Sequence, residues 1–428
     1  MKTFNFKLST GKIYHIVISG ILSVLLVACD LEELLQNEED EFIITQEQAM
    51  IAAANLLFPE PEQIIGEIQV LKEEDFIISK DISSIRAIYA DQAEPVFYIV
   101  NYNPSGFVII SGDRRIKPVL AYSEQNNFLF EDEFYPPGLV DLLNGYASLV
   151  IRIRNKEIEL NIEESLLYWS NLLAFNINIL FLNIRTCFID EEDYIERKVL
   201  LETRWNQGCG YNDWLADSCN NFFCNRPPVG CVATAMAQIL KYHADNGWDG
   251  NYILANGTDS PFINWENMPL TGVNVNNNGH IPLLMLHLGQ MLDMIYSCDG
   301  SGAYSSDAQT SFINNFSFSN ATLKVINSAS DYNVVFADIF NDLPVYMSGR
   351  KEVTELLEND EIRIRYPGHA WVADGYSQLY RCGEGFIDNQ FELHMNWGWG
   401  GFGDGYYVKK EGLFELRRNV IHNIALTD

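Results

Sequence analysis

The stretch Gly230-Cys231-Val232-Ala233-Thr234-Ala235-Met236-Ala237-Gln238-Ile239-Leu240-Lys241-Tyr242-His243 decides how this chain is read. Counted from Cys231, the apolar residues Val232, Ala235, Met236, Ile239 and Leu240 recur at helical spacing and form one stripe to be buried. Pro227, Pro228 and Gly230 break the chain immediately before, which sets Cys231 at the first turn of an inward-packing helix. Unpaired backbone N–H groups and the helix dipole favour an anion at that position. The expectation is a thiol of lowered pKa, acting as a thiolate nucleophile.

A thiolate nucleophile needs a base from elsewhere in the chain. Of the seven histidines, His15 lies in the leader, and His243 lies at the far end of the Cys231 helix, about 18 Å away at 1.5 Å per residue. His280, His287 and His422 read as ordinary surface or core residues. His369 opens a strand-like run, Gly368-His369-Ala370-Trp371-Val372-Ala373-Asp374-Gly375. His394 lies inside a second, Phe391 to Asn396, in which alternation places Asn396 on the face of His394, with Trp397 just beyond the strand end. A base at one strand start and an amide at a neighbouring strand end can meet, and an amide so placed orients an imidazole toward a thiol.

The stretches GCVATAMAQILKYH, PVYMSG, GHAWVADGY and MNWGWGGFGDGYY, in that order, resemble the streptopain family of bacterial cysteine endopeptidases over roughly residues 200 to 410. The resemblance implies an α+β chain with a papain-like catalytic domain. It further implies Cys231 as nucleophile, His369 as general base and acid, and Asn396 with Trp397 as the group that orients and shields the imidazole. Trp205-Asn206-Gln207 would open the active-site side. Asp299-Gly300-Ser301-Gly302-Ala303 is similar to the loop that lines the substrate cleft, giving Ser301 and Gly368 as substrate-binding residues. Two departures stand out. A charged insert runs from Arg350 to Tyr366, and Met347-Ser348 follows the Pro-Val-Tyr strand where streptopain has a glutamine, so the backbone N–H of Cys231 is the expected oxyanion donor.

The chemistry these residues can perform is peptide hydrolysis: thiolate attack, protonation of the leaving amine by His369, and release of an acyl-enzyme by water. It calls for no cofactor and no metal. Protein or peptide substrates are the expected partners. Two other classes use or lose the same residues: a papain-like acyltransferase that delivers the acyl group to an amine, and a catalytically silent surface binding or inhibitor protein.

Outward from the catalytic stretches, Lys2, Lys7 and Lys12 precede an apolar run from Ile13 to Val27 that ends at Leu26-Val27-Ala28-Cys29. This reads as a lipoprotein signal peptide over residues 1–28, with Cys29 as the lipidated residue and the membrane reached through that anchor. Asp30 to Glu41 holds seven acids and no base, a solvated tether. Export to the outer membrane or cell surface is the expected localisation. Residues 42–190 read as an α+β prodomain. Thr45 and Gln48 form a capping-box pattern, and Val96 to Tyr102, Gly106 to Ile110 and Pro118 to Tyr122 form a β meander between turn signals. GFVIISGDRRIKPVLAYS is similar to the streptopain prosegment and its standalone inhibitors, which implies an intramolecular inhibitor. A helical stretch is expected from Pro136-Pro137 to about Asn183. The catalytic domain is assigned to residues 191–428, with maturation between about 185 and 200, where Arg185, Glu191-Glu192 and Arg197-Lys198 suggest an exposed linker.

With 428 residues, 47% of them hydrophobic, the chain is long enough for more than one core. A formal net charge of −30 argues against nucleic acid, whose phosphates would be repelled. Apart from Cys29 and Cys231, six cysteines remain, Cys187, Cys209, Cys219, Cys224, Cys298 and Cys382, which allow 15 disulfide connectivities in an exported chain.

Overall fold

The computed structural model describes residues 41–59, 64–90, 92–128, 130, 137–173, 193–220, 223–273, 279–350, 353–356, 362–365, 368–381, 385–408 and 418–426. The signal peptide, Cys29, the acidic tether, Cys187, Cys382, Arg185 and Glu191-Glu192 lie outside the described residues.

The N-terminal part begins with α1 (Gln46–Ala54), whose capping box is formed: Gln48 N–H donates to Thr45 Oγ1 at 3.2 Å and Thr45 N–H to Gln48 Oε1 at 3.0 Å. Such a cap contributes about 1 kcal/mol. The chain continues through β1 (Leu57–Pro59), β2 (Gln69–Leu71), β3 (Phe76–Ser79) and β4 (Asp81–Ile88). The expected meander follows as β5 (Phe97–Asn103), β6 (Phe107–Ser111) and β7 (Val119–Ser123), antiparallel and in sequence order, with β4 added at its edge. The three meander strands are apolar almost throughout because both faces are covered. Tyr98, Val100 and Val108 pack with α1 and with Trp169 and Leu172 of α3 (Glu163–Leu173). Phe97, Ile99 and Ile109 belong instead to the cluster that holds Leu139, Leu142 and Val150 of α2 (Pro137–Arg154). The expected single helical stretch is therefore two helices, separated where Lys156 takes a positive φ of 58°, and its part beyond Leu173 is not among the described residues.

The C-terminal part contains β8 (Tyr194–Val199), α4 (Cys231–Asp245), α5 (His280–Met291), α6 (Ser305–Asn314), β9 (Thr322–Ile326) and α7 (Asn333–Phe340). Then come β10 (Val345–Arg350), β11 (Val353–Leu356), β12 (Ile362–Arg365), β13 (Gly368–Arg381), β14 (Gly385–Asn396), β15 (Gly405–Val408) and β16 (Arg418–His422). The sheet order β4-β5-β6-β7-β15-β14-β13-β10-β16-β9 joins both parts where β7 pairs β15, Tyr406↔Tyr122 and Tyr407↔Ala121, and β2 joins them again by pairing β8. The N-terminal meander thus docks edge to edge on the sheet that carries the C-terminal motifs.

One sequence expectation changes here. Arg197 and Lys198 do not mark an exposed linker: they are 1% and 4% exposed. They lie in β8, which pairs with β13 on one side and β2 on the other. Arg197 is held there by the Glu124 carboxylate, a paired charge that burial tolerates. The charged insert contains a two-stranded hairpin, β11 with β12, set between β10 and β13.

Candidate active site

Helix α4 starts at Cys231 with Gly230 as its N-cap, as the Pro-Pro-x-Gly turn dictates. Val232, Ala235, Met236, Ile239 and Leu240 are all buried. Gly230 needs to be glycine for two reasons. Its φ is +91°, and a Cβ there would meet Met294 Sδ at 2.8 Å and the Ser301 carbonyl oxygen at 3.1 Å. The loop at Ser301 therefore abuts the residue before the nucleophile. Ser301 is itself 8% exposed, with its Oγ accepting from Ser297 N–H at 3.3 Å, so it presents backbone toward Gly230. Gly368, exposed at the head of β13, pairs with Arg350.

Strand β13 carries His369, 4% exposed, one residue from Ala370, whose N–H faces the Cys231 sulfur. The sulfur also faces the N–H groups of Val232 and of Cys231 itself. These are the donors expected at a helix start. They do not lower the thiol in this state: burial pushes Cys231 up, and the three N–H groups offset only part of it. Burial also pushes His369 down, to about 4, against the pull of the Trp397 carbonyl. The expectation of a depressed thiol pKa is thus corrected, because desolvation outweighs the helix terminus. The pair rests as thiol and neutral imidazole.

The imidazole is held differently from the expected amide contact. His369 Nε2 lies 2.9 Å from the backbone oxygen of Trp397. A carbonyl can only accept, so Nε2 carries the proton and Nδ1 keeps its lone pair. Asn396 does not reach the ring, since register places it opposite Val372. Its Nδ2 donates to the Thr203 carbonyl at 2.7 Å, and its Oδ1 accepts from Gln238 Nε2 at 3.0 Å and from Gly398 N–H at 3.1 Å. Gly398 N–H and Trp397 C=O belong to the same peptide unit. Asn396 thus holds one side of the peptide whose other side holds His369. Trp397 also stacks near the imidazole, at 6.4 Å between ring centroids, and Trp371 does so at 6.1 Å.

Three residues matter here through contacts that the sequence did not reveal. Trp371 covers the imidazole from its own strand. Gln238, fully buried on α4, ties Asn396 to Trp205, whose N–H donates to Gln238 Oε1 at 3.0 Å. A polar residue on the buried side of an amphipathic helix was the available signal. Gln207 is 5% exposed, its carbonyl accepts from Val229 N–H at 2.9 Å, and its Nε2 is buried without a hydrogen-bond partner. An unsatisfied buried donor beside the Cys231 turn is costly unless something arrives to accept from it. Ser348, by contrast, is engaged with Ser305 Oγ at 2.7 Å.

Two disulfides frame this region. Cys209–Cys224 closes the loop that precedes Cys231, and Cys219–Cys298 ties that loop to the one bearing Ser301. Cys231 is a free cysteine.

Comparison with known proteins agrees with this architecture. Residues 205–407 match the Peptidase C10 family and residues 42–150 match the Spi protease inhibitor. Streptopain of Streptococcus pyogenes is 25% identical over 72% of this chain and 73% of its own length. Thiol protease/hemagglutinin PrtT of Porphyromonas gingivalis is 22% identical over 77% of this chain, which spans 36% of that protein. In fold, the chain is similar to prointerpain A of Prevotella intermedia with a TM-score of 0.53, at 21% identity, covering 81% of this chain and 99% of that one.

Proposed function

The chain belongs to the Peptidase C10 family and is a cysteine-type endopeptidase with an inhibitor-like N-terminal domain, and from that premise we propose that Cys231 and His369 carry out the hydrolysis. The observation that carries this reading is the hydrogen bond from His369 Nε2–H to the Trp397 carbonyl, which leaves Nδ1 as the basic nitrogen in a ring one residue from Ala370, whose N–H faces the Cys231 sulfur. His369 takes the thiol proton, and the thiolate adds to the peptide carbonyl. The developing oxyanion is met by the Cys231 N–H and by the unsatisfied Gln207 Nε2. The imidazolium then protonates the leaving amine. Water, deprotonated by the same ring, releases the acyl group and restores the thiol.

The N-terminal domain keeps the full chain latent. Arg197 pairs with Glu124, Arg204 donates to Asn126 Oδ1 at 3.1 Å and to Gln125, and β7 continues the sheet at β15. These contacts couple the inhibitory domain to segments that lead straight into Trp205 and Trp397. Turnover follows its removal by proteolysis.

The test uses the full chain and its Cys231→Ala variant, each first cut free of the N-terminal domain by a trace of an added serine protease that is then inhibited, and incubated with casein and a fluorescent primary amine. New peptide ends from the parent chain, and none from the variant, are expected. Amine incorporation without new ends would sink the hydrolytic reading in favour of acyl transfer.

A further inference from the structure

His369 is held by a peptide carbonyl rather than by a side chain, so whatever fixes that peptide fixes the ring. Residue Trp397 is gripped at three points. The following amide N–H goes to Asn396 Oδ1 at 3.1 Å, the indole Nε1–H donates to the Gly403 carbonyl at 3.2 Å, and its own backbone N–H donates to Asp404 Oδ1 at 2.8 Å. Asp404 is 3% exposed and sits on the turn between Trp397 and β15. From β14 it is faced by His394, whose Nδ1 is 2.7 Å from Asp374 Oδ1 on β13, and from the segment before Trp205 by Arg204. The other Asp374 oxygen is buried without a partner. These groups line a cavity of about 250 Å³ to which Ser123 to Asn126 of the N-terminal domain also contribute. Asn126 Nδ2 donates directly to the Asp404 carbonyl at 3.0 Å.

We propose that Asp404 is a positioning residue for His369, acting through the Trp397 backbone to keep the imidazole in its Nε2–H tautomer, on a turn that the inhibitory domain grasps through Asn126. The Asp404 side chain is the acceptor for the backbone N–H of Trp397 itself, so it sets where the Trp397 backbone sits, and the Trp397 carbonyl then chooses which ring nitrogen holds the proton. Removing the N-terminal domain would take away the Asn126 contact and open one wall of the cavity while leaving the Asp404–Trp397 bond in place. This inference rests on the reading of His369 as the base, but its test does not.

The experiment is nitrogen NMR of the full chain carrying Cys231→Ala, with labelled histidine, His369 being assigned by its loss in His369→Ala. The parent should show a single Nε2–H tautomer for His369. Asp404→Ala should show both tautomers, and Asp404→Asn, whose side-chain oxygen can still accept from Trp397 N–H, should restore the first. A single unmixed Nε2–H tautomer in folded Asp404→Ala overturns the proposal. If that variant does not fold, a mixture of tautomers in folded Asp404→Asn, which keeps an acceptor for Trp397 N–H, overturns it instead. Failure of the base reading shows separately, as casein cleavage that survives His369→Ala.

Discussion

Gln207 is the residue where the geometry makes the sharpest demand. Its buried Nε2 has nothing to donate to in the resting chain, so it is preorganised for charge that appears only during reaction. Gln207→Ala should lower kcat by about 10²- to 10³-fold, roughly 3–4 kcal/mol, with a smaller change in KM. Near-parental kcat would remove it from the oxyanion site. At this scale the sequence was uneven. Cys231 and His369 were legible because each begins an element after a chain break. Asn396 was legible as a residue but not in its contacts, since alternation gives the face of a side chain and not the register of its neighbour. Gln207 lay within a stretch already singled out, yet an unsatisfied donor exists only once its surroundings are packed.

At the scale of elements, α4, β13 and β14 follow from periodicity and from the residues that bound them. The meander of β5, β6 and β7 follows from its turns. The disulfides do not follow from spacing at all. Cys219–Cys298 spans 79 residues, and closing a loop of that length contributes at most about 4.5 kcal/mol by chain entropy. Its second effect is local: it ties the loop before Cys231 to the loop whose Ser301 backbone abuts Gly230. Replacing both cysteines by serine should lower the unfolding temperature and raise KM for a peptide substrate several-fold, with kcat less affected. An unchanged KM alongside a lowered unfolding temperature would make the bridge a stabiliser only.

At the scale of the whole molecule, the two parts share one sheet and bury charge where they meet. Glu392 on β14 is pushed up to about 7 by burial, against the pull of Lys117 and hydrogen bonds to Ser377 and Tyr122. Lys117 and Tyr122 belong to the N-terminal part, so this proton reports on docking. A carboxyl raised in the folded chain contributes most below its ordinary value of 4.5, and that contribution is lost as pH rises through about 7. Glu392→Gln, made in the Cys231→Ala chain, should therefore gain stability relative to its parent between about pH 5 and pH 8. A difference in unfolding temperature that stays constant across that range would contradict it. By itself the sequence determined the two-part organisation, the nucleophile helix, the strand that bears the base and the meander ahead of them, because each is written in local periodicity and chain breaks. Tertiary structure alone decided that Trp397 holds the imidazole by its backbone, that burial keeps thiol and ring neutral, that Arg197 and Lys198 lie inside a sheet, and which cysteines pair. Those are outcomes of register, desolvation and distance between residues far apart in the chain, and no local pattern encodes them.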